Sequence, residues 1–310
     1  MKNDFKFYSL LFISKEDSNP NLDENNYNNK IEIYINNALL LDKSLRQFDY
    51  NLILLTNKKK ILKKYLLNSN LIIKEIKFRK KVKKNINFYS SHFKIDAFKY
   101  FSKLKTNSCL VDLDCIAINN PPRFFDQLMS GKRPILYDIT NKTLERYKKK
   151  IVIQSLELLI EKKIIRPKWF GGEFISGNSS FFKILYNTIN IFENRYYKKI
   201  NYFFHNGDEM LVNSALNYLI NKSKIKLYLN ANKLRITSRY WSNLEVRFMK
   251  PKALGQTFLI HLPADKRFLS NYYKSKKDVN KFKKNLIIRN SSIYFYFKNK
   301  IKDFYRKIFR

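Results

Sequence analysis

The chain has 310 residues, enough for one large α/β domain or two modest ones, and 45% of them are hydrophobic, which excludes global disorder. Lys and Arg number 62 against 25 Asp and Glu, a formal net charge of +37, so the surface attracts polyanions: nucleic acid, anionic lipid headgroups or phosphorylated substrates. Charge alone does not name the partner, because abundant Lys, Asn, Ile, Tyr and Phe with scarce Gly, Ala and Pro is also what an AT-rich coding sequence produces.

In chain order, Phe5–Ile13 reads as a buried strand, and the Asn/Asp/Glu-rich stretch Asn19–Asn29 as a loop. Lys30–Phe48 has helical apolar spacing at Ile31, Tyr34, Ile35, Ala38, Leu39, Leu41 and Leu45. Tyr50–Thr56 and Leu71–Ile76 are expected strands around a short basic helix at Lys58–Leu67, an alternation that predicts parallel βαβ units. A helix is expected over His92–Leu104 and one strand over Cys109–Ile118, stopped by Asn119-Asn120-Pro121-Pro122. Further strands are predicted at Pro134–Ile139, Trp169–Ser176, Lys224–Leu229 and Thr257–Leu262, with helices at Ile151–Lys163, Ser179–Phe192 and Asp208–Asn221.

The longest apolar runs, such as Phe7–Ile13, are too short to span a bilayer, and no small-residue cleavage site follows the amino terminus, so no secretory signal is expected. Cys109 and Cys115 lack a CxxC or metal-ligand spacing and fit a reduced, cytoplasmic setting. The domain is expected to occupy residues 1–265, with a basic aromatic tail at 266–310. From Lys266 to Arg310 there are 15 Lys/Arg, 2 Asp/Glu and 11 Phe/Tyr, and Phe297, Ile301, Phe304, Tyr305 and Ile308 share one helical face. Such a basic amphipathic helix suits an anionic membrane surface; a terminal helix packed on the domain is the competing reading.

The chemistry centres on Asp112-Leu113-Asp114. If this segment continues a strand, residues two apart share a face and both carboxylates converge, while Val111 and Leu113 face a packed layer. At the carboxyl end of a parallel strand they sit where open α/β sheets bind ligands. Paired carboxylates call for a cation or a proton between them, and a hard divalent ion there could bridge a diphosphate. A DxD pair alone is more often a solvated strand end or a turn.

Several segments, in order, resemble the glycogenin-like nucleotide-sugar glycosyltransferases. Tyr34-Ile35-Asn36-Asn37-Ala38-Leu39-Leu40-Leu41-Asp42-Lys43-Ser44-Leu45-Arg46-Gln47 looks like that family's first helix, and Phe93-Lys94-Ile95 is similar to its TKL-type step. Asp112-Leu113-Asp114 matches the metal motif, and Trp169-Phe170-Gly171-Gly172-Glu173-Phe174 resembles FNSGVF. Gly207-Asp208-Glu209-Met210-Leu211-Val212-Asn213 looks like GDQxxLN, and His261-Leu262-Pro263-Ala264-Asp265-Lys266 is similar to HxxGxxKP. The match runs over about residues 5–266.

The resemblance implies a GT-A-type α/β fold, a Rossmann-like and mostly parallel sheet flanked by helices. The motif set together with the basic, aromatic terminus leads to the expectation of a hexose-type unit moved from a UDP-sugar donor to a polysaccharide or lipid-linked glycan. Asp112, Asp114 and His261 would hold Mn²⁺ (or Mg²⁺), the nitrogen ligand favouring Mn²⁺. Tyr34 would stack on the base, with a core aromatic as its alternative. Lys94 would approach the donor, against an exposed helix lysine, and Lys266 the diphosphate. Asp208 and Glu209 would act at the sugar, although Asp208 also suits a helix N-cap. Gly171 and Gly172 would let backbone approach the sugar, or simply form a turn.

Departures from the family pattern lie at Phe170 in place of Asn, Glu209 in place of Gln, and a shorter His-to-Lys spacing without its Gly; they leave sugar identity and stereochemical outcome open. A nucleic-acid binder and an inactive interaction subunit are the rival readings. No zinc spacing, RNP-like motif or helix-turn-helix signature supports the former.

Overall fold

Phe5–Leu11 (β1) explains the architecture, because five of its seven residues are buried and the adjacent pair Phe7 and Tyr8 must find cover on opposite faces. Phe5 and Phe7 pack on Phe125 at centroid distances of 5.8 and 6.3 Å, whereas Tyr8 points the other way, 4.8 Å from Phe101. Helices thus cover the sheet on both sides. The computed structural model describes residues 4–16, 22, 24, 26–66, 69–79, 81–84, 86–225, 227–240 and 254–291.

After β1 come Tyr27–Arg46 (α1), Leu52–Thr56 (β2), Lys59–Tyr65 (α2), Ile72–Glu75 (β3), Lys94–Phe101 (α3), Asn107–Val111 (β4) and Cys115–Ala117 (β5). Phe125–Ser130 (α4), Ile135–Asp138 (β6), Thr140–Tyr147 (α5), Lys149–Ile160 (α6), Phe170–Gly177 (β7), Ser179–Lys199 (α7) and Asp208–Asn221 (α8) follow. Leu229–Asn230 (β8), Thr237–Arg239 (β9), Leu259–His261 (β10), Lys266–Lys274 (α9) and Phe282–Ser291 (α10) complete the described elements.

Among the described residues, the main sheet has the order β3-β2-β1-β4-β7-β6-β8, with β3, β2, β1 and β4 parallel and β7 antiparallel to both its neighbours. This is the α/β, mostly parallel sheet that the alternation of apolar runs predicts. A second, small sheet has the order β5-β10-β9. The single strand expected at Cys109–Ile118 is in fact two, in different sheets, with residues 112–114 turning between them. The expected Lys224–Leu229 strand reduces to Leu229–Asn230, and α5 and β9, too short for their period to show, were not anticipated.

α1 starts at Asn26, whose side chain accepts from the backbone of Asn28 and Asn29. It is tied to the sheet by Asp42, which accepts from Leu52 N at 2.9 Å and from Arg46 at 2.6 Å. Chain at the start of the expected tail also packs here. Leu269, Tyr272, Val279, Phe282 and Leu286 join Leu40, Ile116 and Ile260 in one buried cluster, and Asn36 donates to Ser270 Oγ at 3.0 Å. The amphipathic stretch Phe297–Arg310 lies outside the described residues. No helix among the described residues is long and apolar enough to cross a membrane.

Phe101 is fully buried between Tyr8 and Phe182, whose ring lies 5.0 Å away. Phe101→Ala is expected to destabilise the domain by about 3–5 kcal/mol through the cavity it leaves. Urea unfolding should show this as a lower midpoint at an unchanged slope.

Candidate functional site

Backbone pairing assembles the site. Antiparallel β5 and β10 put His261 opposite Cys115, and Leu262 N donates to Asp114 O at 2.9 Å, so the late histidine arrives beside the second aspartate. Parallel β10 and β9 set Arg239 against His261. On the main sheet Val111 pairs with Phe174, and Asp112 N donates to Glu173 O at 3.1 Å. Asp112 and Asp114 therefore converge through a turn between two sheets, closed by Cys115 N donating to Asp112 O, rather than through strand alternation.

The carboxylates are divided in a regular way. Lys94 Nζ lies 2.6 Å from Asp112 Oδ1, and Lys266 Nζ donates to Asp114 Oδ2 at 2.5 Å and to Pro263 O at 2.7 Å. The other two oxygens face the imidazole: Asp114 Oδ1 is 3.0 Å and Asp112 Oδ2 3.9 Å from His261 Nε2. One atom from each of Asp112, Asp114 and His261 lies within 4.8 Å of the others. Metal–ligand bonds of about 2.0–2.6 Å allow that spread around one ion, and a nitrogen with two carboxylates suits Mn²⁺ or a similar divalent cation. The residues present fit the group, and on each aspartate the oxygen that faces the imidazole is not the one its lysine holds.

Burial disfavours charge on Asp114, but Lys266 and His261 overcome it and hold its carboxyl well below the ordinary range. Burial likewise lowers the His261 pKa, yet Asp114 and Glu173 outweigh that and push it up to about 9. Lys94 is buried rather than exposed: burial lowers its pKa, and Asp112 and Asp208 raise it further than burial depresses it. Its Nζ also donates to Gly172 O at 3.0 Å and lies 3.6 Å from Asp208 Oδ2. The lysine thus joins the aspartate turn, β7 and the start of α8.

Asp208 is the first residue of α8, and Gly207 is its cap, without a side-chain bond, so the N-cap reading of Asp208 is set aside. Glu209 is held on all sides: Oε1 accepts from Gly172 N at 3.0 Å and Arg239 Nη2 at 2.9 Å, and Oε2 from Trp169 Nε1 at 3.2 Å. Asn213 and Asn217, one turn apart, bracket the start of β7; Asn213 accepts from Phe170 N at 2.6 Å and donates to Phe170 O at 2.9 Å. Gly171 and Gly172 lie within β7 with no left-handed φ, so they form no turn. A Cβ on Gly171 would collide with Glu173 Oε2 and come within 2.7 Å of Tyr137 Cδ1; one on Gly172 would lie 3.0 Å from Glu209 Cγ. Tyr34 is half-buried on α1 against the main core.

Two residues of the site were missed. Glu173 is fully buried, with Oε1 3.2 Å from His261 Nδ1, and Arg239 grips it with Nε on Oε1 at 2.7 Å and Nη2 on Oε2 at 2.5 Å. The signal for Glu173 was present, since a charged residue stands at the apolar fifth place of the segment resembling FNSGVF. Arg239, on a three-residue strand in a Lys/Arg-rich chain, carried none. His92, by contrast, is a satisfied core histidine, 3.0 Å from both Phe88 O and Tyr196 Oη.

Lys94→Met removes the cation shared by Asp112 and Asp208. Loss of about 3 kcal/mol of unfolding free energy is expected, as for other buried ion pairs stripped of one partner, and chemical denaturation measures it.

No protein-family model matches the chain, and no curated protein matches it. Solved structures do. A galactosyltransferase LgtC, solved with donor and acceptor sugar analogues, aligns with TM-score 0.50 and 8% identity over 87% of this chain and 95% of its own. An active-site variant of LgtC aligns with TM-score 0.52 and 9% identity over 83% and 86%. The bifunctional glycosyltransferase WbbM aligns with TM-score 0.50 and 12% identity over 83% of this chain and 45% of its own. At such identity the likeness speaks to architecture: the chain has an α/β fold of the GT-A glycosyltransferase type.

Proposed function

We propose that the protein is a metal-dependent glycosyltransferase that moves a sugar from a nucleotide diphosphate donor, a UDP-sugar by resemblance, to a hydroxyl of a glycan or lipid-linked acceptor. The observation that carries this reading is the convergence of Asp112, Asp114 and His261 on one point of a GT-A-type fold. The solved LgtC complex held donor and acceptor sugar analogues, which supports the same substrate classes here.

The reaction breaks the bond from the anomeric carbon to the diphosphate oxygen, which leaves with the electron pair. The acceptor hydroxyl oxygen bonds that carbon, and its proton passes to a nearby oxygen base. Asp112, Asp114 and His261 would hold the cation, which when bound offsets the charge building on the leaving diphosphate. Lys266, already beside Asp114, would add positive charge on the phosphate side. On the sugar side, Asp208 would accept hydrogen bonds from donor hydroxyls at the start of α8. Glu209 would stand next to it as a fixed negative charge, its oxygens held by Arg239, Trp169 and the Gly172 amide. Gly172 would present backbone to the sugar, Gly171 would leave room for Glu173 beneath, and Tyr34 would stack on the base.

Release of UDP from a panel of UDP-sugars should require Mn²⁺ or Mg²⁺ and stop on chelation. Asp114→Asn should lower the rate at least roughly 100-fold, measured on protein shown by circular dichroism to be folded. Equal rates in the variant and the wild type would remove the site, and failure to bind any nucleotide-sugar with Mn²⁺ in calorimetry would favour an interaction subunit instead.

The basic, aromatic carboxy-terminal segment supports a peripheral place at the inner membrane face, where lipid-linked acceptors are presented. Because residues up to 291 include side chains packed in the domain, the test is a chain ending there. Flotation with anionic liposomes should be lost relative to the full chain; equal flotation refutes the anchor.

A further inference from the structure

Glu173 poses a question that the proposed reaction leaves unanswered. It is fully buried in a strand interior, where an apolar side chain would pack without cost, and the family motif that this segment resembles has valine there. Burying a carboxylate is expensive unless it is paired and hydrogen-bonded. Here both oxygens are engaged. Arg239 binds them in a two-pronged grip at 2.7 and 2.5 Å, and Oε1 also lies 3.2 Å from Nδ1 of His261. The backbone is shaped around the carboxylate, since a Cβ at Gly171 would strike its Oε2.

The opposite nitrogen of the same imidazole, Nε2, faces Asp112 and Asp114. A carboxylate behind a metal-binding histidine raises the ring's basicity, and here Glu173 acts as a close ion-pair partner, since its 3.2 Å contact with Nδ1 is not aligned as a hydrogen bond. Arg239 extends the line further, because Nη2 also donates to Glu209 Oε1 at 2.9 Å. One guanidinium therefore neutralises the carboxylate behind the histidine and fastens the carboxylate on the sugar side.

We infer that Glu173 is the positioning residue of the cation-binding histidine, and that Arg239 yokes it to Glu209, so that one buried ion-pair chain sets cation affinity and the placement of the sugar-side carboxylate together. The inference rests on the cation site proposed above. Glu173 and Arg239 act through their neighbours, not on substrate. In this chain the pair supplies electrostatic support that a valine at the same place could not give.

Titration calorimetry with Mn²⁺ alone, paired with the electron paramagnetic resonance spectrum of the bound ion, tests it on the full chain. Glu173→Gln, which keeps the shape and removes the charge, should weaken Mn²⁺ binding roughly 10- to 100-fold and alter the spectrum. Arg239→Lys keeps the charge, and with it the fold, but replaces the fork by a point charge. It should weaken Mn²⁺ binding several-fold, and kcat should fall more than the donor KM rises, because Glu209 is loosened. Phe101→Ala, a core change on another element, should lower stability and leave the Mn²⁺ affinity of the folded protein unchanged. Wild-type Mn²⁺ affinity in both Glu173→Gln and Arg239→Lys would overturn the inference and leave the cation site standing. A wild-type protein that binds no Mn²⁺, indistinguishable from Asp114→Asn, would bring down the cation site and this inference with it.

Discussion

Three residues of strand pairing hold the site together. β10 lies between β5 and β9, and its backbone bonds fix His261 opposite Cys115 on one side and Arg239 on the other. Because β5 starts one residue after Asp114, the same pairing delivers an imidazole to the aspartate turn. Sequence separation of nearly 150 residues is thereby reduced to 3.0 Å between Asp114 and His261. A slip of one residue in that register would turn His261 to the other face and leave the carboxylates without it.

Charge compensation accounts for the rest of the site. Asp112, Asp114, Glu173, Asp208 and Glu209 crowd a largely buried region, and Lys94, Lys266, Arg239 and His261 are distributed among them. Each cation serves two or more elements. Lys94 connects α3 with the aspartate turn, β7 and α8, while Arg239 connects β9 with β7 and α8. In a low-dielectric setting such pairs resist separation, because an unpaired member would carry its full desolvation cost. Rigidity follows. The groups proposed to meet a cation, a diphosphate and a sugar are preorganised by the same bonds that stabilise the domain.

The glycines and asparagines of the motifs gain physical meaning from this packing. Gly171 is small because Glu173 and Tyr137 occupy its side-chain space, and Gly172 because Glu209 does. Asn213 and Asn217 sit one turn apart on α8 and satisfy the strand-edge groups of Phe170 and Lys168, which sets α8 against β7. The first residues of α8, Asp208 and Glu209, are aimed by that clamp.

Local patterning determined much of this protein. Apolar runs bounded by Asn, Pro and Gly fixed β1, β2, β4, β6 and β7, and 3.6-residue spacing fixed α1 and α8, because such periods reflect which face of an element meets the core. The order of the motif residues, from Lys94 through Asp112, Asp114 and Asp208 to His261, was legible on a different ground: the short segments that carry them resemble, in sequence, those of the glycogenin-like glycosyltransferases. What only tertiary structure decided was how they meet. The break between β4 and β5 turned an expected strand into a corner between two sheets, and strands of two or three residues, such as β8 and β9, are too short to show a period. Glu173 and Arg239 are 66 residues apart, and neither reads as a partner of the other. Their pairing depends on the mutual placement of β7, β9 and β10, a long-range geometry that leaves no trace in the spacing of residues along the chain.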